Sequence, residues 1–110
     1  MQDLDILKQV VEDNVATING RDYEFAKLTH SVRLKVFSFS STVGGKIQNA
    51  DFGWMDSEKY KGIEKTILDY VLFDGVQVSK RADHFEKYPE DYLTLILTAL
   101  GVISYPFLQG

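Results

Sequence analysis

Val15-Ala16-Thr17-Ile18-Asn19-Gly20-Arg21-Asp22-Tyr23-Glu24-Phe25 is the stretch on which the fold turns. Asn-Gly is the favoured pair for a two-residue type I′ turn, because both central residues need positive φ. A two-residue loop sets the register: Ile18 faces Arg21, Ala16 faces Tyr23 and Asn14 faces Phe25. Ala16, Ile18, Tyr23 and Phe25 then share one face, while Thr17, Asp22 and Glu24 share the other, with Val15 the exception. Such alternation predicts a half-buried ribbon. A lone hairpin is unstable in water, so its apolar face must pack on a larger element.

Working outward, residues 1–14 form an N-terminal segment. Leu4, Ile6, Leu7, Val10 and Val11 allow a short amphipathic helix there, and fraying is the other reading. Beyond the hairpin, Thr29 suits the N-cap of a helix running to about Val43. Leu28, Val32, Val36, Phe39 and Val43 make one stripe at helical spacing, and Leu34 and Phe37 fall on the opposite side. Two apolar faces imply burial on both sides, or one face kept for a partner. Leu34 to Phe39 is also rich in β-branched and aromatic residues and fits a strand; the helix is the preferred reading.

Gly44-Gly45 is expected to end that helix, leaving residues 44–55 as a loop that holds Phe52 and Trp54. Asp56 suits the cap of the next helix, with Met55 and Tyr60 as a hydrophobic staple. From about Ser57 to Leu72, Tyr60, Ile63, Ile67 and Val71 make an apolar stripe opposite Glu58, Lys61, Lys65 and Asp69. Asp74-Gly75 reads as a turn before a short strand at Val76-Gln77-Val78. Residues 79–88 are polar, with Phe85 and Tyr88 embedded.

Pro89 opens the last predicted helix, and Glu90 and Asp91 suit its positive end. Tyr92, Leu93, Leu95, Ile96, Leu97, Ala99, Leu100, Val102 and Ile103 cover more than half its circumference. Glu90, Asp91, Thr94, Thr98 and Gly101 are left as a narrow polar strip. A helix this apolar is a central core element or an assembly surface. Pro106 is expected to end it, and residues 104–110 read as an apolar tail that packs back or docks elsewhere. The expected fold is α+β and mostly α-helical, with a small N-terminal hairpin packed on about three main helices. Residues 15–110 make its single globular domain.

The totals narrow the function. With 12 basic and 16 acidic residues the net charge is −4, which argues against a duplex-binding protein and its basic stripe. There is no cysteine, which excludes disulfides and thiolate zinc sites and fits a reducing compartment. The acidic start Met1-Gln2-Asp3-Leu4-Asp5 lacks the basic region of a signal peptide. No apolar run approaches the ~18 residues that a membrane span needs. Neither nucleic acid nor membrane is an expected partner.

Candidate chemistry is sparse. His30 and His84 lack the i+3 or i+4 companion of a metal face, so both read as structural or surface residues. None of the seven serines lies in a G-x-S-x-G elbow. Gly44-Gly45-Lys46 lacks the spacing of a phosphate loop. Caps and turns account for Asp51, Asp56, Asp69 and Asp74. The acidic run from Asp83 to Asp91 fits a solvated loop and a helix start better than mimicry of nucleic acid. No catalytic residue, metal ligand or cofactor is expected. Aromatic residues are 13% of the chain, several of them in segments read as irregular. Leu34, Phe37, Trp54, Tyr105, Phe107 and Leu108 are therefore the candidate partner-binding residues, with core filling as the competing reading for the aromatics. The same apolar faces suit a homo-oligomer.

Several motifs recur in a recognisable order. They are Ile18-Asn19-Gly20-Arg21 with Tyr23 and Phe25, then Val36-Phe37-Ser38-Phe39-Ser40-Ser41, then Asp51-Phe52. Leu72-Phe73-Asp74-Gly75-Val76-Gln77-Val78-Ser79-Lys80 follows, then His84-Phe85-Glu86-Lys87-Tyr88-Pro89-Glu90-Asp91-Tyr92, and last Ile103-Ser104-Tyr105-Pro106-Phe107. Over residues 15–110 this order resembles the tail assembly chaperones of long-tailed phages and prophages with non-contractile tails. The resemblance implies a protein of the bacterial host's cytoplasm that coats the tape measure protein, delivers tail tube protein to it and stays out of the mature virion. Many such proteins are made in two lengths by a ribosomal frameshift, in which case this chain would be the short form, and the resemblance offers no catalytic residue to carry over. The rival expectations are a structural head-tail or tail-completion subunit, and an acidic inhibitor occupying a nucleic-acid site.

Overall fold

The computed structural model describes residues 4–108, with side chains from residue 7 onward. The hairpin forms in the expected register. β1 (Val15–Ile18) and β2 (Arg21–Phe25) pair antiparallel, with Ile18 opposite Arg21 and Ala16 opposite Tyr23. Asn19 (φ 52) and Gly20 (φ 79) both take positive φ, as a type I′ turn requires. Ala16, Ile18, Tyr23 and Phe25 are all buried. Before the hairpin comes α1 (Leu4–Asp13); after it comes α2 (His30–Gln48), so Leu34 to Phe39 is helix rather than strand.

α2 corrects one boundary. Gly44-Gly45 does not stop it, and the expected 44–55 loop begins only after Gln48. The helix ends in a Schellman arrangement: Ala50 N–H donates to Ile47 O (3.0 Å) and Asp51 N–H to Lys46 O (2.8 Å). Ala50 holds the left-handed position at φ 54, where glycine is the usual occupant. Gly44 and Gly45 have no atom within 4 Å of an added Cβ, so they interrupt nothing in the packing of α2. A single-turn 3₁₀ helix, Gly53–Asp56, follows and carries Trp54 inward.

α3 (Glu58–Asp69) is capped by Ser57 and not by Asp56: Ser57 Oγ accepts from Tyr60 N at 3.1 Å. α3 also stops short of the expected Leu72, because Val71–Phe73 is strand β3. β3 and β4 (Val76–Gln77) form a second tight hairpin whose turn residues, Asp74 (φ 52) and Gly75 (φ 77), repeat the backbone of the first. β3 pairs with β2, Glu24 opposite Leu72 and Phe25 opposite Val71, giving a four-stranded antiparallel sheet in the order β1-β2-β3-β4. Val71 keeps its place with Tyr60, Ile63 and Ile67 in the core although it sits on a strand.

Val78 leaves the expected short strand to open a 3₁₀ turn (Val78–Lys80), and the one-turn helix α4 (His84–Lys87) follows within the polar stretch 79–88. Pro89 opens a 3₁₀ turn (Pro89–Asp91), and α5 itself is Tyr92–Leu108. α5 is the core helix: Leu95, Ile96, Ala99, Leu100, Val102 and Ile103 are buried. Pro106 lies inside it rather than ending it, since in the last turn a missing N–H removes a single ladder bond. The expected polar strip is broken up, because Asp91 and Thr98 are buried and Gly101 lies beneath Leu7. Residues 89–108 are, against expectation, long and apolar enough by length and composition to cross a membrane. Of the 18-residue apolar window within them, 56% is buried inside the protein, as suits a core helix. Of the tail at 104–110, residues 104–108 continue α5, and residues 109–110 lie outside those described.

The architecture is thus α+β and mostly helical, with a four-stranded sheet where the sequence announced only one hairpin and a short strand.

Candidate functional site

α2 and α5 pack side by side, and between them runs a groove of about 540 Å³ closed at one edge by α1. Among the described residues, its lining carries no charged side chain. Phe37 and Leu108 stand at one end, and Ile47, Gln48 and Thr94 at the other. Ser40, Ser41 and Gly44 on α2, with Gly101 and Ser104 on α5, keep the walls low. The groove follows from sequence: α2 turns Val36, Phe39 and Val43 to the core, and sets the small Ser40, Ser41 and Gly44 on this flank between the larger Phe37 and Ile47.

The six candidate partner-binding residues separate into two groups. Phe37 stacks on Phe107 (ring centroids 4.7 Å, 27° between planes), and Leu108 beside them is 54% exposed. Leu34 lies one turn before Phe37 and is 47% exposed. Phe37 and Leu108 line that end of the groove, Phe107 stacks on Phe37, and Leu34 extends the same flank of α2 by helical spacing. Trp54 and Tyr105 do not join them, since each is only 8% exposed. Trp54 packs edge-on against Phe39 and Tyr60, and its indole N–H donates to Asp51 O at 3.0 Å. Both are core residues, which corrects their reading as partner anchors. Trp54 looked loop-borne because the 3₁₀ turn that carries it inward has no periodic signature.

Sequence reasoning missed a second constellation at the far end of α5. The Asp91 carboxylate is 0% exposed and accepts four hydrogen bonds. Oδ1 takes Asn19 Nδ2 (2.7 Å) and Arg21 Nη2 (3.0 Å); Oδ2 takes Arg21 Nε (2.6 Å) and the Tyr23 hydroxyl (2.5 Å). Since Tyr23 donates to Asp91, its oxygen accepts from His84 Nε2 at 2.8 Å, which assigns the Nε2–H tautomer. The Arg21 guanidinium also lies 4.0 Å over the Tyr88 ring and bonds Glu90.

Burial opposes the charged form of Asp91, but the bonds from Arg21, Tyr23 and Asn19 outweigh it and hold the carboxyl at about 2. Burial, with the nearby Arg81, pushes His84 below its ordinary value. Burial and the bond to Asp91 push the Tyr23 phenol up. A related set joins α3 to α5. The Tyr60 and Tyr92 hydroxyls meet, Tyr92 donates to Glu64, and burial raises Tyr60 to about 12.

The Asp91 group is a latch between the first hairpin and the start of α5. Every acceptor position on the carboxylate is used, and none of its residues lines the groove. Its only sequence signals were Asn19 in the turn and an acid after Pro89, each of which a turn or a helix start explains locally. No protein-family model, curated protein or solved structure matches the chain.

Proposed function

We propose that the chain is a non-catalytic tail assembly chaperone of a long-tailed phage or prophage with a non-contractile tail. It binds apolar helical stripes of the tape measure protein and helps recruit tail tube subunits, acts in the cytoplasm of the bacterial host, and stays out of the mature virion. The observation that carries this reading is the groove between α2 and α5, lined among the described residues by uncharged side chains including Phe37 and Leu108, with Phe107 stacked on Phe37 and Leu34 exposed one turn before it on α2. An amphipathic helix docks by laying its apolar stripe into a groove of this kind, with large side chains at the rim as anchors. Low walls at Ser40, Ser41 and Gly44 bring the guest backbone close.

The test is co-expression with a tape measure protein from the same phage or prophage, followed by purification through this chain. Soluble, stoichiometric recovery of the long partner is the expected result, with Leu34→Glu lowering it. A tape measure protein that stays insoluble while nothing co-purifies sinks the reading. Finding this chain in purified mature virions by mass spectrometry would instead favour a head-tail or tail-completion subunit.

A further inference from the structure

α1 meets α5 at one point of close approach. A Cβ added at Gly101 would lie 2.9 Å from Leu7 Cδ2 and 3.1 Å from Leu7 Cδ1, so a side chain there would make the end of this leucine shift from its seat. Among residues 7–13, Leu7 alone is fully buried; Val10 and Val11 are half-buried. Ten residues are too few for a helix to persist by itself in water, so α1 is helical because it is docked. It joins β1 through Asn14, which takes the left-handed φ of 57. Asn14 O accepts from Phe25 N at 2.8 Å, and that bond pins the joint to the sheet while α1 extends beyond it.

Two clefts border this arm. The groove already described shares Leu7 with α2 and α5. A second cleft, of about 330 Å³, is lined by Val11 and Asn14 together with Phe25, Leu28, Arg33 and Val102. α1 is a wall common to both. We infer that α1 is a detachable strap. Swinging it away about Asn14 joins the two clefts into one furrow beside α5. The strap rests on α1's own contacts and not on the chaperone reading, so either can fail alone.

Native-state hydrogen exchange on the full chain tests it. The α1 amides are expected to exchange through an opening of their own, about 100-fold more often than the α5 core, while β1 and β2 stay protected. Gly101→Ala crowds Leu7 and should speed α1 exchange a further ~10-fold without speeding residues 95–100. Leu7→Asp should raise binding of the apolar dye 1-anilinonaphthalene-8-sulfonate while α5 keeps its protection. Exchange of α1 in step with α5, or in step with the whole hairpin, overturns the strap. Unchanged dye binding in Leu7→Asp overturns the merging of the clefts.

Discussion

Arg21 and Asp91 stand 70 residues apart in the chain and meet side-on, guanidinium Nε to Oδ2 at 2.6 Å and Nη2 to Oδ1 at 3.0 Å. The pair ties the strand that follows the first turn to the residue that precedes α5. Asp91 has no exposure to water, so its charge depends wholly on these partners. Removing it by Asp91→Ala leaves Arg21 and Tyr23 without their acceptor and should destabilise the protein by about 3 kcal/mol, the low end for a broken buried pair because Arg21 keeps some access to water. Urea unfolding measures this. A loss below about 1 kcal/mol would show that the latch contributes no more than a surface pair.

The same group sets the acid response. A carboxyl held at about 2, below its ordinary 3.8, contributes stability that is fully present above its unfolded value. That contribution is lost as pH falls from about 4 through about 2, and amounts to roughly 2 kcal/mol. His84 acts in the same direction at higher pH. Its folded value is depressed, so stability is present above its unfolded value of 6.5 and declines as pH falls through the folded one. Protonation of His84 would place a cation near Arg81 and Arg21, with Asp91 and Asp83 only partly compensating. Unfolding free energy should therefore fall in two stages on acidification, and Asp91→Asn should remove the lower one. A pH profile of Asp91→Asn that parallels the parent below pH 4 contradicts the assignment.

Ala50 and Gly45 test the end of α2. Ala50 holds a left-handed backbone that disfavours a Cβ, so Ala50→Gly should stabilise by about 0.5 kcal/mol once the extra freedom of glycine in the unfolded chain is subtracted. Gly45 is mid-helix with open space around an added methyl, so Gly45→Ala should stabilise by about 0.5–1 kcal/mol. Thermal melts check both. A lower melting temperature for Gly45→Ala would mean that the helix stops at the glycine pair after all.

Leu34→Glu and Leu108→Glu separate binding from folding. Both residues are exposed, so each change should alter stability by no more than about 0.5 kcal/mol while lowering recovery of the tape measure protein. Phe37→Ser should lower recovery and also destabilise the fold, since it removes the stack on Phe107. Global unfolding of Leu34→Glu, read by circular dichroism, would make Leu34 a core residue.

Local chemistry was legible in the sequence wherever neighbours in the chain settle the outcome. Asn19-Gly20 determined a turn and, through its two-residue length, every pairing of the first hairpin. The 3.6-residue spacing of Val36, Phe39 and Val43, and of Tyr60, Ile63 and Ile67, determined which sides of α2 and α3 go inward. Tertiary structure decided what depends on distant partners. Val71–Phe73 became a strand because β2 offered it an edge to pair with, although its side chains extend the α3 stripe. Trp54 and Tyr105 went to the core, and Leu34 and Leu108 to the surface, though all four are large and apolar. Asp91 became a buried latch because Asn19, Arg21 and Tyr23 arrive from about 70 residues away to replace the water it loses. Periodicity tells which residues share a face, but the identity of the surface opposite that face exists only once the chain has closed on itself.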